Sequence, residues 1–442
     1  MSRGTIPQQT GVTMIAHKMR RILWLILICI PTAASVSAQG KNPPGFVFMP
    51  GDLRLLEECA AADQQFERRA LVYHDAALEE YLTDLAAAAL PAQTPEKVEW
   101  QFRILRAPVE RPFALPNGSI YIPSGLLARI ENDDQLFGTL AREVCHVSER
   151  HAYLTNQSLG RKFMATEVAG FAAAGVILGS LIVNDARSGL FAAVSGYSRQ
   201  FEEAADRAAV ERMKGTGRDP AQLQRLFEIQ GDVLEPAEVG NTARDRVSYL
   251  KTLLGGAKTI GGAPDAAYLD RLRPLFLQDI QLDLDTQQYR RGVAGARRIA
   301  TAYPDDAVAA YWLGEAYRFL GPRTERPSNE ELATWDRFAA RRVPLPVVQN
   351  ERASLAATSK GEATLKENLQ KAEGLFRKAE RLDPTFAEPY FGLGSLYAEL
   401  GKKEEAIEAY RKYMELATQP YDRDRAGRRI DALASTPAGG VK

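Results

Sequence analysis

The chain has 442 residues, with 56 Lys and Arg balanced against 56 Asp and Glu and a formal net charge of zero. That length predicts two or three domains, each large enough to bury a core. The neutral balance argues against a nucleic-acid binder, whose affinity rests on surplus positive charge, though it leaves room for a local patch.

Residues 1–38 read as a secretory signal. Lys18, Arg20 and Arg21 precede an apolar run from Ile22 to Ala34, and Val36-Ser37-Ala38 forms an A-x-A-like cleavage site. The run is shorter than the ~20 residues a bilayer span needs. Met19 is an alternative start. Cys29 is not expected to carry a lipid anchor, because Ile28 stands where that signal requires a small residue. The mature chain is expected in an exported compartment, periplasmic or secreted. Cys59 and Cys145 remain, and although they could pair there, Cys145 sits inside a central helix and both are expected unpaired.

Asp52 to Leu90 reads as helix, with apolar residues at helical spacing from Leu55 through Phe66 to Leu85, stopped by Pro91. Val98, Trp100, Phe102 and Ile104 alternate as a strand. Arg111 to Ile122 is a hairpin built on Pro116-Asn117-Gly118, since Asn-Gly is a strong turn signal. A short helix follows from Leu126 to Ile130. Asn132-Asp133-Asp134 can cap the next helix, from about Gln135 to His151.

That helix carries Arg142-Glu143-Val144-Cys145-His146. In a zinc-protease H-E-x-x-H helix, two His at i and i+4 hold the metal and the Glu acts as general base on its water. Glu143 and His146 stand in register, but Arg142 occupies the first His position. Arginine stays protonated and has no lone pair for a metal. His151 lies about 140° further round an ideal helix from His146, which makes it a poor substitute ligand. His74 is the other candidate, and only an unforeseen fold would bring it in.

Residues 168–183 are sixteen uncharged residues rich in Ala and Gly. They read as a buried helix in preference to a membrane contact, and no transmembrane span is expected. Helices are expected over Tyr197–Met213 and from Asp219-Pro220 to about Gly231. The Gly-rich stretch 255–265 reads as a linker closing a first domain over 50–254.

Beyond it, residues 266–434 read as helical repeats. Phe386 to Ala417 forms a tetratricopeptide-like unit with Tyr390, Leu393-Gly394, Tyr397, Ala406, Ala409 and Tyr410. Trp312, Leu313-Gly314 and Tyr317 begin a second unit, whose other helix is Leu369–Leu382 after an insertion at 322–362. Gln287 to Ala302 is the second helix of an earlier unit. A period of about 34 residues marks stacked units that bury a shared core and dock protein partners. The tail 435–442 is expected to be disordered.

Residues from about Leu71 to Leu250 resemble the metallopeptidase family of HtpX-like proteases, CAAX prenyl proteases and periplasmic BepA-like proteins. BepA-like members also carry tetratricopeptide repeats. The resemblance rests on four ordered matches: Pro112-Phe113-Ala114-Leu115-Pro116-Asn117-Gly118, where the family has Asn-Ala-Phe-Ala-Leu-Pro-x-Gly; Ser124-Gly125-Leu126-Leu127; Glu143-x-x-His146; and Ser198-Arg199-x-x-Glu202-x-x-Ala205-Asp206. It implies that Glu202 is the third zinc ligand and that Asp206 orients the first His. It makes Glu143 the general base and His146 the surviving His ligand. It also makes Ile120, Tyr121 and Ile122 an edge strand on which a substrate polypeptide adds. The family's His-Pro pair before an Arg-Ile has no His here, where the matching stretch is Asn241 to Val247. With only His146 and Glu202 left, the ligand set is incomplete. Arg142 is expected to replace the metal's charge against Glu202 and Asp206, pairing bidentately with one of them.

The fold expected is therefore α+β and mostly α: a metallopeptidase-like helical domain with a small β-sheet, then an α-solenoid of tetratricopeptide repeats. The function expected is a degenerate protease in envelope protein quality control or assembly, binding a polypeptide client and a protein partner. The alternative is an active zinc metalloendopeptidase, which would need zinc as its cofactor.

Overall fold

The computed structural model describes residues 46–159, 197–233, 240–256, 265–320 and 359–435. The expected signal, the apolar stretch 168–183, most of the linker, almost all of the insertion and all of the tail except Ser435 lie outside those residues.

The described chain is mostly helical, with one four-stranded sheet. Its first half runs α1 (Pro50–Arg68), β1 (Val72–Tyr73), α2 (Ala76–Ala87), β2 (Gln101–Leu105), β3 (Phe113–Ala114), β4 (Ser119–Pro123), α3 (Ser124–Leu127), α4 (Asp133–Ser148) and α5 (His151–Leu159). Then come α6 (Arg199–Gly215), α7 (Ala221–Val233), α8 (Gly240–Leu253), α9 (Ala266–Asp285), α10 (Tyr289–Ala302), α11 (Ala307–Phe319), α12 (Ser359–Leu382), α13 (Glu388–Glu399), α14 (Lys403–Leu416) and α15 (Pro420–Ser435). None of the described helices is long and apolar enough to cross a membrane.

The single helix expected over Asp52–Leu90 is two helices with a strand between them. Ala70 takes a left-handed φ of 54°, and the Leu71 N–H returns to the Phe66 carbonyl at 2.9 Å, a bond that closes a helix C-terminus. Leu71-Val72-Tyr73 then presents three adjacent buried residues, a pattern that suits a short strand and not one helical face. Asp75 starts α2 by accepting the Ala77 and Leu78 N–H groups at 3.1 Å.

The strands lie in the order β1-β2-β4-β3. β4 pairs parallel with β2, with Phe102 opposite Ile120, and antiparallel with β3, with Phe113 opposite Tyr121. The hairpin turn needs its glycine. Gly118 has φ of 102°, and a Cβ there would lie 2.4 Å from the Glu99 carbonyl oxygen. Ile120, Tyr121 and Ile122 are therefore not on an edge. β3 folds back over one side of their strand, β2 covers the other, and all three are fully buried. The edge beside the hairpin is β3. Leu115 donates to the Ser119 carbonyl at 2.8 Å, so by antiparallel alternation the Ala114 backbone N–H and C=O face away from β4.

Asn132 caps α4 by accepting the Gln135 N–H at 3.0 Å. α4 is buried all round from Gln135 to Val147, packed against α6 and α7. One hydrophobic core runs from Leu78, Ile104 and Leu140 through Leu272 and Phe276 into Trp312, Phe376 and Leu396. α9 therefore joins the first half to the repeats. In the repeats, Phe376 of α12 sits between two glycines; a Cβ on Gly314 or Gly392 would come within 2.7 or 2.8 Å of its ring. Tyr410 meets Gly394 in the same way. The Leu-Gly pairs of the repeat pattern are thus the holes that receive these rings. Both Cys59 and Cys145 are buried and unpaired.

Candidate functional site

Three elements meet at the motif. α4 supplies Arg142, Glu143 and His146, α6 supplies Glu202 and Asp206 one turn apart, and α8 supplies Arg246. All six are buried, Asp206 completely.

The guanidinium of Arg142 bridges both carboxylates: Nη2 donates to Glu202 Oε2 at 2.6 Å and Nε to Asp206 Oδ1 at 2.9 Å. It does not fork onto one of them, as the sequence suggested. The forked pairing belongs to Arg246, which donates through Nε and Nη2 to the two oxygens of Asp206 and through Nη1 to Glu202 Oε2. Both guanidiniums lie by the ring of Phe227 on α7, 5.4 Å and 4.7 Å from its centre, a cation–π arrangement. Arg111, just before β3, reaches Glu202 Oε1 at 3.4 Å, and the Tyr197 N–H donates to the same oxygen at 3.3 Å.

The surroundings set the protonation states. Burial pushes Glu202 up, but Arg246, His146, Arg142 and Arg111 outweigh it and hold its carboxyl well below the usual range. Burial lifts Glu143 to about 7, against the pull of Arg142, 3.9 Å away. Burial pushes His146 well below its ordinary value and His151 down to about 4, with Glu202 opposing in both. Both rings are therefore neutral near pH 7.

His151 is where the ideal-helix argument fails. α4 ends at Ser148, and Arg150 takes a left-handed φ of 60°. The chain turns there, so His151 opens a new helix and faces back. Its Nδ1 lies 2.9 Å from Nδ1 of His146, so one neutral ring donates and the other accepts. Tyr197 stacks on His146 and Phe201 on His151, each with centroids 4.3 Å apart. His146 Nε2 is 3.9 Å from Glu202 Oε2. His74 is elsewhere, exposed and paired with Glu67 and Glu79.

Arg246, Arg111 and His151 are the site residues that the sequence reading did not assign. Arg246-Val247 stands at the family's Arg-Ile, and Arg111 at the first position of the family's hairpin pattern, so a signal existed for two of them. His151 had none, because its position depends on one left-handed residue.

Residues 74–276 match Peptidase family M48, and residues 387–420 match a tetratricopeptide repeat. The chain carries an M48 peptidase domain followed by a tetratricopeptide repeat. A beta-barrel assembly-enhancing protease of Yersinia pestis is 24% identical over 243 residues, covering 49% of this chain and 49% of that protein. The protein of the same name from Escherichia coli K12 is 22% identical over 170 residues, 37% of this chain and 35% of the relative. The mitochondrial metalloendopeptidase OMA1 of Schizosaccharomyces pombe is 26% identical over 80 residues, 18% of this chain and 23% of the relative. The chain thus spans half or less of the length of these curated relatives. The crystal structure of yeast Tom70 aligns over 70% of this chain and 82% of that one at 12% identity, with a TM-score of 0.16, too low to bear on the fold.

The zinc that the M48 family implies does not fit this donor set. Both Glu202 oxygens already accept hydrogen bonds, Oε2 from two guanidiniums. Three arginines, Arg111, Arg142 and Arg246, face three carboxylates, Glu143, Glu202 and Asp206. That set is neutral with Glu143 ionised. A divalent cation would leave a surplus of two positive charges in a buried site, which is strongly unfavourable. Among the described residues no group of three His, Cys, Asp or Glu side chains is arranged to hold a metal ion.

Proposed function

We propose that this chain is an exported, protease-derived scaffold of the cell envelope, in which the M48 domain holds extended polypeptide without cleaving it and the repeats dock a protein partner. The observation that carries this reading is the paired clamp of Arg142 and Arg246 on Glu202 and Asp206. It puts fixed positive charge where the family places zinc. The name borne by the relatives, beta-barrel assembly-enhancing protease, suggests unfolded outer-membrane polypeptides as the client class. The signal-like N-terminus suggests the periplasm. Client binding is assigned to the outer edge of β3; Phe113 and Ala114 are buried there, so an extended segment adds to the sheet through main-chain hydrogen bonds once that edge is uncovered.

A second reading keeps an active zinc endopeptidase, with Glu143 as general base. What favours it is the approach of His151 to His146 beside Glu202, which brings a second imidazole toward the site. It requires Arg142 to be displaced.

One experiment separates the two. A fluorescent, extended, apolar peptide is incubated with the mature chain, and binding and cleavage are followed together. Binding with the peptide left intact is expected, and Ala114→Pro, which removes the outward N–H, should weaken it at least tenfold. Cleavage abolished by a chelator would establish the second reading, and undiminished binding by Ala114→Pro would remove β3 as the docking edge.

A further inference from the structure

A second buried ionic cluster lies where the M48 domain meets the first repeat hairpin. The domain contributes Glu110, Ser124 and Arg129, α9 contributes Asp279 and Asp283 one turn apart, and α10 contributes Arg291. Each is no more than 7% exposed. Arg129 approaches Glu110 at 3.3 Å and Asp283 at 3.8 Å; Arg291 approaches Glu110 at 3.2 Å and Asp283 at 3.6 Å. Those four groups balance. Asp279 is then a third carboxylate against two guanidiniums.

Hydrogen counting points to the same residue. The Ser124 hydroxyl oxygen lies 2.9 Å from Asp279 Oδ1 and 3.1 Å from the Ala107 carbonyl oxygen, which also accepts the Gly125 N–H at 3.0 Å. A hydroxyl has one hydrogen, so it cannot donate to both acceptors. If Asp279 is protonated, it donates to Ser124, Ser124 donates to Ala107, and each contact has its hydrogen. Neither oxygen of Asp283 receives a hydrogen bond among the described residues, so the arginines hold it by charge alone.

We propose that the Asp279–Asp283 pair holds one proton in the docked protein, seated on Asp279 toward Ser124, and that this proton makes the junction between the M48 domain and the repeats pH-dependent. Burial pushes both carboxyls above their ordinary range, Asp283 the further, against the pull of Arg129 and Arg291; Glu110 raises both, Asp279 raises Asp283, and the Ser124 hydrogen bond lowers Asp279, so the charge count and the Ser124 contact, not the size of the shift, seat the proton on Asp279. A carboxyl raised on folding adds stability that is complete below its unfolded value and is lost as pH rises through the folded value. The junction should therefore tighten on acidification and loosen toward alkaline pH.

The test uses the full mature chain and the Asp279→Asn variant, whose amide supplies Ser124 with a hydrogen at every pH. Melting temperatures of the two should diverge as pH rises from 5.5 to 8.5, the variant becoming the more stable. The infrared difference between them at pH 7 should contain one protonated-carboxyl stretch. A variant less stable than the parent at pH 8.5, or no such band, would overturn the proposal. Should Asp279→Asn fail to fold, Asp283→Asn decides. There the two guanidiniums face only Glu110 and Asp279, so the same band should be lost, and its persistence would refute the shared proton.

Discussion

Replacing Arg246 by alanine is expected to destabilise the M48 domain by about 3–5 kcal/mol, the range for removing one partner of a buried ion pair. The substitution takes away the guanidinium that contacts both oxygens of Asp206 and one of Glu202. Asp206 is fully buried and would keep only Arg142. Arg142→Ala is expected to cost less, because Arg142 gives one hydrogen bond to each carboxylate and Arg246 remains. Arg246→Lys should not restore stability, since one ammonium cannot span two carboxylates as a planar fork does. Glu202 is held ionised by these arginines, so the clamp's contribution is present above the carboxyl's unfolded value and is lost as pH falls through its depressed folded value. Urea denaturation at pH 7 and again near pH 3 measures both. An unchanged midpoint for Arg246→Ala at pH 7 would mean that the clamp is not a buried, paired network.

The second large effect belongs to the repeats. Phe376→Ala should cost about 3–5 kcal/mol, the usual range for deleting a buried aromatic ring. The ring fills the space left by Gly314 on α11 and Gly392 on α13. Neither glycine has a side chain that could collapse into the void, so the cavity persists. The hydrophobic core continues from Phe376 through Trp312 and Phe276 to Leu140. Loss of this ring should therefore lower the unfolding midpoint of the M48 domain as well as that of the repeats, seen by following tryptophan fluorescence and helix content together. Separate transitions, with the first half unaffected, would show that the two halves do not share a core.

Much of this architecture was readable from local pattern. The Asn-Gly turn, the Asn132 cap and the Leu-Gly pairs of the repeats each depend on neighbours in sequence, and each is found where its chemistry places it. The errors arise where one backbone residue redirects the chain. Left-handed Ala70 split a continuous apolar periodicity into two helices and a strand. Left-handed Arg150 turned His151 back onto His146, which no helical wheel could show. The edge expected at Ile120–Ile122 came from the family resemblance and not from a local pattern; the parallel partner β2, reached through a crossover, takes the side that the hairpin leaves open. The clamp was half legible. Arg142 announced itself by standing where a ligand belongs, and its pairing with Glu202 and Asp206 follows from their shared helical face. Arg246 was visible only as part of a degraded motif, and its reach across to α6 is set by how α8 packs, not by any local spacing.

In the scaffold proposed above, fixed arginine charge stands in place of the metal. The most direct test is the zinc content of the mature chain, purified without added metal and without affinity-tag histidines. Zinc far below one atom per chain is expected, unchanged by Glu202→Gln. One zinc per chain, lost in Glu202→Gln or His146→Ala, would contradict that expectation and make the M48 site a working metal centre.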